Sequence, residues 1–489
     1  MKWLERTIAT ISPQWAYKRM AWRSGMDALY DGASRGRLQM NWNPSATVDE
    51  NRARADRELL RARARDLERN SDIAESIITA FERNVVGSGM VLQVKIPDDE
   101  ELSDQIESLW KEFCQAQHCD ITGTQSLEEI QEMLVRRYVV DGGILIVKVY
   151  VKDSNFPFKI QVREVDELNP LATPSGNNRI VDGVEIDQYN RPVAYHFKKY
   201  VNNHVVHGES IRVDAKDVIF WRRKTMPQQV REVSLLATAM TRIKDANQFI
   251  QAVSVKERVL ACLSVFIKKA TPSGSVGRVV NTGNNQTNYS GITLSPGMVG
   301  ELNPGDEVQT VIPSGQASDS KEFITTLVRL IAAGLGLSYE TVSRDLSMVN
   351  YSSARQGMLE DRKIFKKMQQ SLIRTVLTPI YLEFLDAMFL AGKIKMRDYM
   401  TSKSKYTAHV WIPPGYTWID PLKEVNANRV ALESNQDTLA RICAERGEDW
   451  REVIKQRMAE EQLIAQLNGG GTNGENNPSG VNKKQSLAG

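Results

Sequence analysis

Asn350-Tyr351-Ser352-Ser353-Ala354-Arg355-Gln356 opens an amphipathic run that continues to Leu390. Ser353 and Gln356 stand in capping-box spacing and predict a helix start. Phe365, Met368, Leu372 and Val376 follow at helical intervals and predict its buried stripe. Pro379 predicts a kink or a division. Unbroken, residues 353–391 would extend about 58 Å, more than an ordinary domain core requires. A shorter helical pattern, Ser320 to Ala333, precedes it and ends in Gly334-Leu335-Gly336-Leu337-Ser338. Gly334 and Gly336 read as a hinge, and Tyr339 to Val349 as a polar loop carrying Arg344 and Asp345. Helix, hinge, loop and very long helix point to a mechanical part rather than a catalytic pocket.

Upstream, Ser234 reads as the cap of another helix. Leu236, Met240, Ile243, Ile250 and Val253 recur near helical spacing to about Ala261. A strand, Leu263 to Lys268, then leads into Thr271–Gly291, rich in Gly, Ser, Thr and Asn. A structureless stretch of that length is uncommon inside a compact domain. The helices 234–261 and 320–333 therefore form a stalk that leaves and returns on either side of a small β and loop module, residues 262–318.

Between about 70 and 230 the pattern is mixed α and β. Ser71-Asp72 opens a helix, with Asp72 and Glu75 in capping-box spacing and Ala74, Ile77, Ile78 and Phe81 as its stripe. Residues 102–137 read as helical. Strands are predicted over Ile144–Val151, Phe158–Val165, Ile180–Ile186, Val193–Lys199 and Val218–Arg222, with turn signals at Asp182-Gly183 and Asn190-Arg191-Pro192. Residues 51–69 hold seven arginines, with Leu60, Ala64 and Leu67 on one helical face. They read either as a nucleic-acid patch or as a solvated face with interleaved ion pairs, the commoner outcome. Residues 1–50 read as an extended arm, 422–466 as further charged helices, and 467–489 as a disordered tail.

The chain has 489 residues, 63 basic and 60 acidic, for a net charge of +3. That length suggests about three domains. The near balance argues against tight phosphate gripping, so any contact with DNA is expected to be loose. Four cysteines without framework spacing suit a reducing compartment. The N-terminus lacks a secretory pattern, and no window reaches 18 apolar residues, which argues against a membrane partner.

Chemistry-bearing motifs are missing. There is no Walker-type loop and no G-x-S-x-G elbow. His204 and His207 form H-x-x-H, but on an expected β-turn without an obvious third ligand. Cys114, His118 and Cys119 lack a fourth ligand nearby, and cysteines are often simply buried. Asp141-Gly142-Gly143 reads as a turn. No cofactor is expected.

Several stretches, in order, resemble the lambda-type family of bacteriophage portal proteins. They are Tyr30–Ser34, Leu60–Asn70, Asn84–Gly89, Met226–Ser234, Tyr339–Glu360, Pro413–Glu424 and Ala444–Gly447. The likeness runs from about 20 to 460. One departure is Arg231-Glu232-Val233-Ser234, where the family usually has Arg-Gly-Val-Ser. Glu cannot cheaply replace Gly at positive φ, which puts the local turn in question.

The resemblance implies an α+β portal fold and a non-enzymatic ring of typically twelve copies at one capsid vertex. It implies a wing over 51–233, stem helices at 234–261 and 319–338, a clip at 262–318 and a tunnel loop at 339–352. The long tunnel helix at 353–391 and a C-terminal wing and crown at 392–466 complete the map. DNA-facing residues would be Arg344, Asp345, Ser347, Asn350 and Tyr351. Lys268, Lys269 and Arg278 would serve docking at the clip. Implied partners are other copies of the chain, double-stranded DNA, the terminase large subunit, the major capsid protein and scaffold, and head-completion proteins. The location implied is the virion, after assembly in the host cytoplasm. A packaging-associated nuclease or maturation protease is the alternative, and would need a carboxylate cluster or nucleophile pair.

Overall fold

The structure is a computed structural model, and the residues it describes are 50–97, 99–152, 154–173, 176–201, 204–262, 266–269, 306–309, 317–347, 350–415 and 421–469. The readings for the arm, the tail, most of 262–318 and Arg278 lie outside the described residues.

The arginine-rich segment is a helix, α1 (Glu50–Asn70), and buries Ala64 and Leu67 as its spacing predicts. The next helix, α2 (Asp72–Val85), is capped by Ser71 alone, whose hydroxyl accepts from the Ala74 N–H at 3.3 Å. Asp72 and Glu75 form no capping box; they stand in the first turn, where acids complement the helix dipole. Strand β1 (Val91–Val94) follows. The helical stretch expected over 102–137 is divided into α3 (Glu100–Phe113), α4 (Ala116–Cys119) and α5 (Leu127–Val140). The interruption has a local cause. The Asp120 carboxylate accepts from the N–H groups of Thr122, Thr124 and Gln125, and a Ser126–Glu129 capping box then restarts the helix.

Seven strands come next: β2 (Gly143–Tyr150), β3 (Phe158–Arg163), β4 (Arg179–Val181), β5 (Val184–Ile186), β6 (Pro192–Val201), β7 (His204–Asp214) and β8 (Val218–Arg222). They form two antiparallel sheets, in the orders β3-β2-β8 and β4-β5-β6-β7. Ile180–Ile186 is a hairpin turning at Asp182-Gly183 rather than one strand. His204, expected at a turn, begins β7, which pairs along β6 to Asp214. Side chains alternate along a strand, and β2 uses both faces. Ile144 and Ile146 join the core of α2, α3 and α5, while Leu145 and Val147 pack on Val184, Tyr195 and Phe197 of the second sheet.

A 3-10 turn capped by Ser234 leads into α6 (Met240–Cys262), then β9 (Phe266–Lys269), β10 (Asp306–Gln309) and α7 (Ala317–Leu335). Helices α6 and α7 run antiparallel. Phe249 meets Phe323 at 4.6 Å between ring centroids, and Thr238 donates to the Gly334 carbonyl at 3.4 Å. Next come α8 (Tyr339–Ser343), α9 (Tyr351–Leu372), a π-helical turn (Ile373–Leu377) and α10 (Thr378–Leu390). The break expected at Pro379 is this π turn, because proline cannot donate back to the preceding turn. Helix α11 (Lys403–Tyr406), strand β11 (His409–Ile412) paired with β1, and helices α12 (Pro421–Glu433), α13 (Leu439–Glu445) and α14 (Trp450–Gly469) complete the chain. Aromatic rings join α3 to α10 and β11: Trp110 lies edge-on to Tyr381, Phe384 and Trp411 at 5.2–5.7 Å. Among the described residues, no helix is long and apolar enough to cross a membrane.

The solvated reading of α1 is corrected for three of its arginines, while Arg63 and Arg69 stay exposed and Arg54 pairs along the helix with Glu58. Arg57 reaches Asp182 at 3.1 Å, and Arg61 reaches Asp166 at 2.5 Å and Glu232 at 3.1 Å. Arg65 reaches Asp141 at 2.8 Å and Asp166 at 2.6 Å. These carboxylates come from distant turns, so sequence neighbours on the helix gave no sign of them. Asp141 can stand there because Gly142 (φ +90°) turns directly beneath Val233, where a Cβ would lie 2.3 Å from a backbone carbon. Glu232 is not at positive φ, so the strain expected at its turn does not arise. It is buried and pairs with Arg231 at 2.8 Å. Burial alone would raise its pKa, but the adjoining Arg231 guanidinium outweighs that and holds it below the ordinary carboxylate range.

Glu232→Gly is expected to destabilise the fold by about 3 kcal/mol at neutral pH, by leaving the buried Arg231 short of a counter-charge. A depressed folded pKa means that this stabilisation is present above the unfolded value of about 4.3 and is lost as pH falls through the folded one. Chemical unfolding of wild type and variant should therefore differ most near pH 7 and converge in acid.

Candidate functional site

The segment expected as a loop from Tyr339 begins instead as α8. Ser338 makes the difference, because its hydroxyl accepts from the Thr341 N–H and so caps a helix. Helix α8 is gripped on two sides. The buried Asp361 of α9 accepts from the Ser338 N–H at 2.8 Å, the Ser338 hydroxyl at 2.6 Å and the Thr341 hydroxyl at 2.6 Å. From α2, the Ser76 hydroxyl donates to the Val342 carbonyl at 2.7 Å.

The open part of the segment is shorter than expected. It starts at Arg344, whose left-handed backbone (φ +56°) ends α8 and whose side chain is exposed. Asp345 accepts from the Ser347 N–H at 3.0 Å, and hydrogen bonds from the Ser347 hydroxyl and N–H hold its carboxyl below the usual range. Leu346 is 62% exposed at the tip. Asn350 closes the loop and caps α9, accepting from the Ser353 N–H and hydroxyl, each at 2.9 Å. This replaces the expected cap at Ser353, and Tyr351 becomes the first residue of the helix.

The two hinge glycines differ. Gly334 lies within α7 and its Cβ position is open. Gly336 (φ +76°) is a helix cap: its N–H donates to the Ala333 carbonyl, and the Leu337 N–H donates to that of Ala332. A Cβ there would lie 2.7 Å from Ile364 Cδ1 of α9. Any side chain at Gly336 would therefore have to displace Ile364, besides adopting the left-handed backbone.

Arg344, Asp345 and Ser347 thus follow α8 directly, and Asn350 stands at the start of α9. Lys268 and Lys269 do not join them. They stand on β9, in register with Glu307 and Asp306 of β10, at the other end of the α6–α7 pair. Helix α7 has 19 residues, about 28 Å at 1.5 Å per residue, and separates the two ends of the pair by that length.

Two anchoring residues were missed from the sequence, and a signal existed for both. Asp361 and Gln369 fall on the apolar stripe of Phe365, Met368 and Leu372, where a polar residue must find a partner. Gln369 finds the Asn84 and Val85 carbonyls, both at 3.1 Å, at the end of α2.

The thiols of Cys114 and Cys119 are buried, and burial pushes Cys119 up to about 12. Among the described residues, no group of three or more His, Cys, Asp or Glu side chains could hold a metal ion.

A family model described as phage portal protein, lambda family, matches residues 35–369, from before α1 into α9. The chain belongs to this family. It is 23% identical over 427 residues to the probable portal protein of Halomonas phage phiHAP-1, covering 82% of this chain and 79% of the relative. It is 22% identical over 481 residues to portal protein B of Escherichia phage lambda, covering 88% of each. Among solved structures, a chain from the neck of a native GTA particle, computed with C12 symmetry, overlays with a TM-score of 0.39 at 14% identity, covering 76% of this chain and 88% of that one.

Asp361→Ala should release α8 from α9 and cost about 2–4 kcal/mol, because it removes charge-assisted hydrogen bonds from a buried site. Hydrogen exchange should show reduced amide protection over residues 339–343, with α2 unaffected. Gly336→Ala should cost about 1–2 kcal/mol in thermal unfolding. Adding Ile364→Val, which removes the obstructing methyl, should recover part of that loss and leave the backbone strain.

Proposed function

We propose that this portal-family chain assembles into a closed head-to-tail ring of twelve copies at one vertex of the phage capsid. In this reading DNA is packaged and ejected through the central channel, and the ring nucleates capsid assembly in the host cytoplasm. The observation that carries the proposal is the family match over 35–369, which includes α6, α7, α8, residues 344–350 and most of α9. In this mapping α6 and α7 are the stem, residues 262–318 the clip, the mixed sheets the wing, residues 344–350 the tunnel loop, and the helices after α10 the crown and outer wall. The clip end, with Lys268, Lys269 and Arg278, docks the terminase and later the head-completion proteins. The role is mechanical and non-enzymatic.

Partly exposed apolar side chains on the stem support the ring. Ile250 and Val255 of α6 and Phe323 and Leu330 of α7 are 37–47% exposed. Exposed apolar groups gathered on one helix pair mark an interaction surface, and a heterologous contact whose rotation closes yields a ring.

Native mass measurement and electron microscopy of the purified protein should show rings, and a monomer under all assembly conditions would overturn the proposal. Replacing Arg344–Val349 with a Gly-Ser linker of equal length should leave rings intact while DNA packaging or retention falls. Loss of ring assembly in that variant would make the loop a structural element instead.

A further inference from the structure

The C-terminal half of α10, the β2–β3 connection and the segment that follows α10 enclose a cleft of about 590 Å³. That volume lies within the range of about 300–1,000 Å³ found for ligand-holding clefts. Pro157, Ala387, Phe389, Leu390 and Met400 supply its apolar lining. Phe389 of α10 packs on Tyr399 at 4.7 Å between ring centroids, which ties two of the walls together. Leu390 and Met400 line the cleft yet are 75% and 77% exposed. The two carboxylates in the wall are already occupied. Glu383 is met by Lys148 at 2.5 Å and by the Tyr150 hydroxyl at 2.6 Å. Asp386 is met by Lys403 at 2.6 Å and by the Tyr399 hydroxyl at 2.5 Å. Bases are in surplus beside them: residues 390–405 hold five, against one acid, Asp398. In the segment that joins α10 to Tyr399, Ile394 and Met396 are buried, and Lys393, Lys395 and Arg397 alternate with them and are exposed. Among the described residues, these three have no carboxylate partner.

We propose that this cleft docks an acidic amphipathic helix of a partner protein. The partner's apolar side chains enter against Leu390 and Met400, and its carboxylates meet Lys393, Lys395 and Arg397. The inference goes beyond the channel reading and does not depend on it. Family membership does not assign the cleft either, because the family match ends at residue 369, before α10. Charge complementarity selects the occupant. Two segments of this chain outside the described residues are themselves net basic: 1–49 carries seven bases against four acids, and 470–489 two against one. Either would bring like charge to the rim, which disfavours it. A polyanion without apolar groups would satisfy the lysines and leave Leu390 and Met400 in water. A helix with leucines on one face and glutamates on the other satisfies both, as in other cases where an amphipathic helix lies in an apolar groove. Methionine suits such a wall, since its flexible thioether adapts to the side chain that enters.

The test is binding of the purified full chain to a fluorescein-labelled peptide with leucine on one helical face and glutamate on the other, read by fluorescence anisotropy. A length of about 18 residues lets the peptide form a helix. The acidic peptide should bind, and the same peptide with lysine in place of glutamate should bind at least about tenfold more weakly. Leu390→Ser/Met400→Ser should weaken the acidic peptide about tenfold by removing the apolar anchors. Lys393→Glu/Lys395→Glu should weaken it about as much, because like charges then face one another. All four side chains are exposed, so thermal unfolding of both variants should match wild type. A control, Arg63→Glu/Arg69→Glu, reverses equal charge on the exposed face of α1 and should leave affinity unchanged. No binding of the acidic peptide, equal binding of the lysine peptide, unchanged affinity in either cleft variant, or an equal loss in the control would each overturn the inference. Loss of ring assembly in Leu390→Ser/Met400→Ser, where wild type assembles, would make the cleft a contact between copies of this chain and would also overturn it.

Discussion

Arg57, Arg61 and Arg65 stand one helical turn apart on α1, and each meets carboxylates delivered by a different part of the chain. Asp182 comes from the β4–β5 turn, Asp166 from the segment after β3, Asp141 from the end of α5 and Glu232 from the approach to α6. Charges this deep are costly to remove from water, and the cost is offset only when every partner is in place. The ladder therefore stabilises less than its bond count suggests, yet it is intolerant of a missing member. It fixes how α1, both sheets and the entry to α6 meet. Arg136 extends the same logic to α2, with Glu68, Glu75 and Glu82 at 2.6–3.1 Å.

Helix α9 is positioned by a second constraint. Its buried side carries apolar contacts, including Phe365 edge-on to Phe81 at 5.5 Å, and two polar pins, Asp361 to α8 and Gln369 to α2. The pins do what apolar packing cannot: hydrogen bonds have direction, so they set register along the helix as well as distance. With α8 locked, only residues 344–350 separate it from α9.

Glu232 shows a related dependence. Its backbone is not at positive φ, so its conformation is open to any residue. What holds it is electrostatic, the buried Arg231 guanidinium at 2.8 Å.

The sequence by itself determined the stripes of α2 and α9, the strands β2, β3, β6 and β8 of the mixed sheets, the antiparallel pairing of α6 with α7 and the family. All of these are carried by periodicity, by turn residues or by motifs in fixed order, which are local properties. Only the tertiary structure decided where the arginines of α1 go, that α8 is a helix, that Asn350 rather than Ser353 caps α9, and that Gly336 is packed against Ile364. The physical reason is common to these cases. Several residue types can supply a cap, an ion pair or a tight glycine contact, and the choice among them depends on which distant group arrives within about 3 Å. Asp361 shows how narrow the gap can be. An acid on an apolar stripe declares in the sequence that it has a partner, but only the folded chain identifies that partner as Ser338 and Thr341.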